Sequence, residues 1–143
     1  MTIANILRQK GNTVVAVGPA DDLGTVAATL AANRIGAVLV LAPDGGVLGI
    51  VSERDIVRQL AQAGAAALIR PSSEAMTRDL HTITPHTEVA AAMGMMTDRR
   101  IRHLPVLEDG RLVGMVSIGD LVKVRMGEIE QEAAALREFV TTS

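Results

Sequence analysis

The feature of this sequence that most constrains its fold is an internal repeat. Two glycine-containing turns, at residues 44–46 and 108–110, each lie between two short apolar runs that are rich in β-branched residues and leucine. Two short strands joined by such a turn predict a β-hairpin. Self-similarity of this kind decides the architecture, because each copy is expected to adopt the same fold.

The alignment of the two copies extends beyond the hairpins in both directions. Gly49 aligns with Gly114 at the end of each hairpin, and Ile35 aligns with Ile101 before it. Between these points the first copy is longer by one residue, and the extra residue falls in the turn, where changes of length are tolerated best. The chain is therefore a tandem repeat of one small unit.

Each copy is predicted to contain a strand, a helix, a hairpin and a second helix, in that order. The predicted elements are strands at residues 13–17 and 80–84, first helices at residues 22–33 and 87–99, second helices that begin at Ser52 and Ser117, and short opening helices at residues 3–8 and 72–76. Asp21 or Asp22 and Thr87 are the expected N-caps of the first helices. The predicted fold class is α/β, with two tandem βαββα repeats packed about a pseudo-twofold axis, because units of this size cannot bury a sufficient core alone.

The predicted domain boundaries follow the repeat along the chain. They are residues 1–69 for the first repeat with its opening helix, residues 70–126 for the second repeat, and residues 127–143 for a C-terminal helix and tail. The last segment carries an apolar residue at helical spacing amid Glu and Gln, at Ile129, Ala133, Leu136 and Val140. This pattern predicts an amphipathic helix with one apolar stripe.

Composition excludes several classes of function. The formal net charge of −2 argues against a nucleic-acid binder, and Phe139 is the only aromatic residue, so no platform for stacking bases exists. The chain has no cysteine, and no apolar run approaches the roughly 18 residues that span a bilayer. The first residues also lack the features of a signal peptide. We therefore predict a cytoplasmic protein with no nucleic-acid or membrane partner.

The motif that carries chemistry is Gly-x-x-Ser-x-x-Asp, at residues 49–55 and 114–120. A carboxylate in the first turn of a helix stays ionised and accepts the two donors of a vicinal diol, while the Ser hydroxyl and backbone N–H groups can face a sugar or a phosphate. The alternative is that Ser is only an N-cap and Asp completes a capping arrangement. Capping suffices for a single copy, but two copies at matched positions favour a ligand.

Taken together, these segments resemble a pair of cystathionine β-synthase (CBS) domains. The residues that carry the resemblance are 35–40 and 52–55 in the first copy, and 101–106, 114–117 and 120–122 in the second. The resemblance covers essentially the whole chain and leaves no room for a separate catalytic domain. The sequence departs from the family pattern at Leu39, which stands where the second copy carries Pro105.

The resemblance implies a disc-like module whose central cleft has two potential sites for an adenosyl ligand such as AMP, ATP or NAD(H). By analogy, Asp55 and Asp120 hold ribose, and Ser52 and Ser117 contact ribose or phosphate. The remaining implied ligand residues are Gly36, Ala37, Arg102 and His103 before the hairpins, the basic residue Arg54, and Val17, Ile35, Ile83 and Ile101 against the adenine. Because the basic groups come from the second copy and from Arg54, two equal sites are not expected. Arg102 as a merely solvated side chain remains an alternative.

Three functions follow from these observations. The first is a non-catalytic sensor that binds an adenosyl nucleotide as a regulatory ligand and signals through an unknown effector protein. The second is a ligand-free homodimerisation or scaffold module, and the third is an enzyme. An enzyme is not predicted, because no nucleophile–base pair is evident and His81 and His86 have no ligand partners at metal spacing. We also predict a homodimer, with the helix of residues 127–140 packing across it or against its own core. No cofactor is expected beyond the regulatory nucleotide.

Overall fold

The computed structural model describes residues 1–142 and divides into two compact units. Residues 13–81 form the first-repeat unit, and residues 1–12 together with residues 82–142 form the second-repeat unit. The first-repeat unit contains β1 (Ala16–Val17), α2 (Leu23–Asn33), β2 (Ala37–Leu41), β3 (Val47–Ser52), α3 (Glu53–Ala63), a 3₁₀-helix (Gly64–Ile69) and α4 (Ser72–Ala75). The second-repeat unit contains α1 (Ile3–Lys10), α5 (Val89–Arg99), β4 (His103–Glu108), β5 (Arg111–Ser117) and α6 (Ile118–Thr142). The predicted α/β fold with two repeats and a C-terminal helix is confirmed.

A three-stranded sheet organises the first-repeat unit. Strand β1 runs parallel to β2, and β2 pairs with β3 in the predicted antiparallel hairpin. The apolar face of α2 packs on this sheet, so that Leu23, Val26 and Val38 are fully buried. The α2 helix begins where predicted, because the Asp22 carboxylate accepts a hydrogen bond of 2.8 Å from the backbone N–H of Thr25.

The second-repeat unit has the same hairpin but a shorter first strand. The strand predicted at residues 80–84 is reduced to a single parallel bridge between Ile83 and Val106. In the first-repeat unit the N–H of Leu39 donates to the Val15 carbonyl at 3.4 Å, next to β1. The aligned Pro105 has no N–H, so this bond cannot form in the second copy. The departure at Leu39 and Pro105 therefore explains the shorter strand.

The N-cap prediction at Thr87 is wrong. The α5 helix begins after Glu88, which makes no side-chain capping bond. The Thr87 hydroxyl instead accepts a hydrogen bond from the Thr84 N–H at 3.1 Å, and the Thr87 N–H donates to the Thr84 carbonyl. The Thr87 side chain is thus engaged in the turn before the helix.

Each opening helix packs in the unit of the repeat that it does not open: α1 in the second-repeat unit and α4 in the first-repeat unit. In α1, Ile3 and Ile6 are buried in the core of the second-repeat unit, and the Ile3 N–H donates to the Thr87 carbonyl at 2.9 Å. In the first-repeat unit, the α4 residue Ser72 donates its hydroxyl to the Gly18 carbonyl at 2.6 Å. The division of the molecule in space therefore differs from the division at residues 69 and 70 along the sequence. Helix α1 packs in the second-repeat unit, and α4 packs in the first-repeat unit.

The glycine of the repeated motif is explained by these docked segments. A Cβ at Gly49 would lie 2.7 Å from Met76 Sδ and 2.8 Å from the Thr77 carbonyl oxygen. A Cβ at Gly114 would lie 2.7 Å from the Leu7 Cδ2 atom. The absent side chain lets α1 approach the second hairpin strand in the second-repeat unit, and lets the residues after α4 do so in the first-repeat unit.

We expect Gly49→Ala to lower the free energy of unfolding by about 1–3 kcal/mol, since the added methyl group meets a backbone carbonyl that cannot easily move. The matched control is Gly94→Ala in the exposed part of α5, where nothing lies within 4 Å of a Cβ. Removing that helical glycine is expected to stabilise the chain by about 0.5–1 kcal/mol. Urea unfolding of the two variants distinguishes these signs, and equal stabilisation by both would contradict the close approach at Gly49.

The C-terminal helix is longer than predicted. The second helix of the second repeat and the predicted helix of residues 127–140 are one unbroken helix, α6, which passes through Gly127. Leu121 near its start is fully buried in the core of its unit, whereas residues 131–142 are all exposed. Only the first part of α6 therefore packs on the unit that carries it.

Candidate functional site

The repeated motif forms a capping box at the start of α3. The backbone N–H and the hydroxyl of Ser52 donate to Asp55 Oδ2 at 2.9 and 3.0 Å, and the Asp55 N–H returns a bond of 3.3 Å to the Ser52 hydroxyl. These reciprocal bonds satisfy N–H groups that a helix start leaves without partners. The capping function expected as an alternative is therefore present in the first-repeat unit.

The second carboxylate oxygen of Asp55 is also occupied. Asp55 Oδ1 accepts bonds from Arg58 Nη1 at 3.2 Å and from the Thr77 hydroxyl at 3.4 Å. The residue is only 5% exposed. A carboxylate offers about four lone-pair positions, so these four donors leave it little capacity to accept a further one.

The corresponding carboxylate of the second-repeat unit has a different environment. Asp120 Oδ2 accepts the Ser117 N–H at 2.8 Å, and the Asp120 N–H donates to the Ser117 hydroxyl at 3.2 Å, so the capping box is retained. Here, however, the ammonium of Lys10 at the end of α1 also donates to Asp120 Oδ2, at 2.7 Å. The Lys10 ammonium donates a second hydrogen bond, of 2.8 Å, to the Met115 carbonyl.

Lys10 takes the place that Thr77 occupies in the first copy. Met115 aligns with Ile50, whose carbonyl accepts the backbone N–H of Thr77 at 2.8 Å. In the first-repeat unit Thr77 therefore contacts both the strand carbonyl and the Asp55 carboxylate, and in the second-repeat unit Lys10 contacts the two aligned groups. The two matched carboxylates are held by chemically different donors.

The Asp120 carboxylate can still accept a hydrogen bond from a ligand through one of its oxygens. Its side chain is 26% exposed, and Oδ1 has no hydrogen-bond donor among residues 1–142. Burial alone raises the pKa of the Asp120 carboxyl group, but the bonds from Lys10 and Ser117 outweigh this effect, so the net pKa lies below its ordinary value. The side chain is therefore an ionised acceptor at neutral pH, with one oxygen available.

We expect Lys10→Met to raise the pKa of Asp120, because the ammonium that favours the carboxylate is lost while burial remains. In the native chain the lowered pKa contributes stability above the unfolded-state pKa, and this contribution disappears as pH falls through the folded value. In Lys10→Met this contribution should be smaller, and its loss should be complete at a higher pH. An NMR titration of the Asp120 carboxyl carbon measures the shift. The matched control is Lys123→Met, an exposed residue of α6; an unchanged Asp120 pKa in Lys10→Met would contradict the assignment.

The residues before each hairpin lie at the start of the following helix. The Arg102 carbonyl accepts the Ile118 N–H at 2.8 Å, and His103 pairs with Ser117 across the hairpin. The Arg102 guanidinium is exposed and makes no hydrogen bond or ion pair with any described residue. The second-repeat unit thus brings together four of the predicted ligand residues, Arg102, His103, Ser117 and Asp120, at the start of α6.

The first-repeat unit has the same backbone arrangement without the charge. The Gly36 carbonyl accepts the Glu53 N–H at 3.0 Å, and Ala37 pairs with Ser52. Arg54 is exposed in the first turn of α3. The two copies therefore share this backbone arrangement, but the first has Gly36 and Ala37 where the second has Arg102 and His103.

The predicted adenine-contacting residues fall into two groups. Val17 and Ile83 are buried in the cores of their units, at the β1 position and at the parallel bridge. Ile35 and Ile101 are half-buried and follow the first helices, with their N–H groups bonded to the Leu30 and Met96 carbonyls. Only this second pair offers partly accessible apolar surface.

Sequence reasoning missed Lys10, Arg58 and Thr77. The partners of Lys10, Met115 and Asp120, lie 105 and 110 residues away along the chain, so no local sequence pattern predicts these contacts. Among the described residues, no cluster of three metal-ligating side chains occurs. In the same part of the chain, no helix combines the length and the apolar character needed to cross a bilayer.

Comparison with known proteins identifies the family. The CBS domain family profile matches residues 11–62 and 73–127, which covers most of the chain. The sequence is 32% identical over 147 residues to the mitochondrial CBS domain-containing protein CBSX3 of Arabidopsis thaliana, covering 97% of this chain and 71% of the relative. The fold, the repeated capping motif and these matches define a tandem CBS pair. The chain belongs to the CBS domain family.

Solved structures support the same assignment. A CBS-domain containing protein from Agrobacterium tumefaciens is 46% identical and superposes with a TM-score of 0.86, covering 87% of this chain and 99% of that one. A CBS domain protein from Pyrobaculum aerophilum, solved in complex with AMP, is 30% identical with a TM-score of 0.74, and the match covers 84% of this chain and 89% of the other. The mitochondrial name belongs to the Arabidopsis relative, and the cytoplasmic location of this chain stays a prediction.

Proposed function

We propose that this chain is a non-catalytic regulatory module that binds an adenosyl nucleotide at the start of α6. The observation that carries the proposal is the Asp120 carboxylate, which is ionised and keeps Oδ1 available at the helix start where the Ile118 N–H donates to the Arg102 carbonyl. The AMP complex of the Pyrobaculum relative supports the ligand class. Ligand identity beyond the adenosyl group, whether AMP, ATP or NAD(H), is part of the proposal.

The proposed roles follow from the donor and acceptor chemistry of each side chain. Asp120 Oδ1 accepts the two hydroxyl donors of ribose. The Ser117 hydroxyl accepts the Asp120 N–H at the start of α6, and we assign it a contact with the sugar or the phosphate. Arg102, with His103 next to it, contacts the phosphate, since a guanidinium matches phosphate oxygens in a bidentate geometry. Ile101, which is half-buried, provides apolar surface for adenine.

The first-repeat residues are proposed as a weaker second site. A diol at Asp55 would have to displace Arg58 or Thr77 from a buried carboxylate. Ser52 is engaged in both directions within its capping box. One cation, Arg54, is available among the remaining residues predicted for this site. The others are the uncharged residues Gly36, Ala37, Val17 and Ile35. We therefore expect the second-repeat site to be occupied first.

Signalling is proposed to pass through association with an effector protein. The carboxylate proposed to bind the ribose also holds α1 through Lys10, so the ligand and the end of that helix share one acceptor group. A contact that joins the ligand site to a terminal helix provides a physical route from occupancy to a partner surface.

Thermal unfolding with a panel of nucleotides tests this function. A ligand that binds only the folded chain stabilises it by about 2.7 kcal/mol at one hundred times its dissociation constant. AMP, ATP or NAD is expected to raise the melting temperature, whereas GMP as the control is not. Chromatography of the recovered nucleotide should show it unchanged. No stabilisation by any adenosyl compound would favour a ligand-free scaffold, which the filled coordination of Asp55 also supports.

We expect Arg102→Ala to weaken AMP by about five- to tenfold while leaving adenosine nearly unaffected, because only AMP carries the phosphate. The difference between AMP and adenosine in the native chain should also shrink at high salt. Arg99→Ala, an exposed arginine at the end of α5, is the matched control. Equal affinities of the native chain for AMP and adenosine would mean that Arg102 is only solvated.

A further inference from the structure

An exposed apolar stripe runs along α6 with a regular spacing. Its members alternate at intervals of four and three residues, at Val122, Met126, Ile129, Ala133, Leu136 and Val140. This is the a/d pattern of a heptad repeat, with a positions at 126, 133 and 140 and d positions at 122, 129 and 136. Met126, Ile129 and Leu136 are 53%, 45% and 65% exposed. The stripe therefore has the spacing of a coiled-coil seam and is largely exposed to solvent.

The first turns of α6 already provide a folded nucleus for such a seam. Leu121 is fully buried and fixes the start of the helix to its unit. Further turns add to an existing helix without the unfavourable nucleation step. The seam therefore starts from a fixed helix and is presented in one orientation, although it spans fewer heptads than an isolated coiled coil usually needs.

The charges beside the seam decide which partner and which direction fit it. The g positions that carry a charge are Arg125 and Glu132, and the third g position is Phe139. The e positions that the two charged residues meet in a parallel pair are 130 and 137. A parallel, in-register second copy places Arg125 against the partner's Glu130, and Glu132 against the partner's Arg137. Both contacts join opposite charges. Within its own helix Arg125 also lies 3.5 Å from Glu128 and 3.9 Å from Glu132.

The antiparallel arrangement that covers the same six layers is disfavoured by charge. It would place Glu132 against the partner's Glu132 and Glu130 against the partner's Glu130. It would also bring Lys123 next to the partner's Arg137. These three contacts join like charges, and such contacts are destabilising, whereas the fourth flanking contact joins Arg125 to the partner's Phe139.

We propose that α6 pairs with α6 of a second copy of this chain as a parallel, in-register coiled coil. The seam charges select both the identical partner and its direction. This surface lies beyond the nucleotide site and does not depend on it.

Sedimentation of the full chain tests the pairing with two equivalent substitutions. We expect a dimer at micromolar concentration. Ala133→Glu introduces a charge at an a position, next to its own copy, and should raise the dimer dissociation constant at least about tenfold. Ala135→Glu adds the same charge two residues away, off the seam on an equally exposed surface, and should leave dimerisation unchanged. A monomeric native chain, or a dimer that Ala133→Glu does not weaken, overturns the proposal.

Cysteine cross-linking tests the direction. The chain has no cysteine, so a single introduced thiol can form a disulfide only with its copy. Leu136→Cys should cross-link nearly completely under mild oxidation, because parallel d positions face each other across the seam. Gln131→Cys, on the opposite face of α6, should not cross-link. Cross-linking only when Met126→Cys and Leu136→Cys are combined would establish the antiparallel arrangement and overturn the proposal.

Discussion

Replacing Asp120 by Ala is expected to weaken AMP binding by about 10- to 100-fold, or about 1.5–3 kcal/mol, since it removes a charged acceptor from the ribose hydroxyls. The fold should survive, because the side chain is partly exposed and its structural bonds are those of a helix cap. Loss of such a cap costs about 1 kcal/mol. Calorimetric titration measures the affinity of the folded variant.

The control for this substitution is Asp98→Ala, an exposed carboxylate near the end of α5. It removes the same charge from the chain, so a general electrostatic effect on the anionic nucleotide would appear in both variants. Only Asp120→Ala is expected to lose affinity. Unchanged AMP affinity in a folded Asp120→Ala chain would rule out the ribose assignment.

Replacing the matched Asp55 by Ala is expected to act on stability instead. The free energy of unfolding should fall by about 2–3 kcal/mol, because one buried carboxylate holds the helix cap, Arg58 and Thr77 together. Urea unfolding of Asp55→Ala and Asp120→Ala compares the same substitution at the same motif position. The larger loss is predicted for Asp55→Ala, and equal losses would contradict the difference in environment.

The sequence predicts those parts of the fold that local chemistry determines. The hairpins, the helix that begins after Asp22 and the two Ser-x-x-Asp capping boxes all follow from patterns within a few residues. The shorter strand beside Pro105 was not predicted, although its cause, a residue without an N–H to donate to the ladder, is present in the sequence.

The surroundings of the site depend on contacts that no local pattern contains. The repeat suggests that each opening helix belongs to the copy that follows it, but burial of Ile3 and Ile6 assigns α1 to the second-repeat unit. That placement brings Lys10 to Asp120, 110 residues away along the chain. The motif sequence makes the two carboxylates look equivalent, and only their tertiary donors distinguish them.

The central claim is that one carboxylate, that of Asp120, binds an adenosyl nucleotide while its counterpart Asp55 maintains the fold. Calorimetric titration of AMP into the native full-length chain tests this claim most directly, because it counts the sites as well as measuring affinity. We expect saturation at about one AMP per chain before any weaker second binding event, because only one site has an available acceptor. Two sites of equal affinity, or no binding of AMP, ATP or NAD, would contradict it.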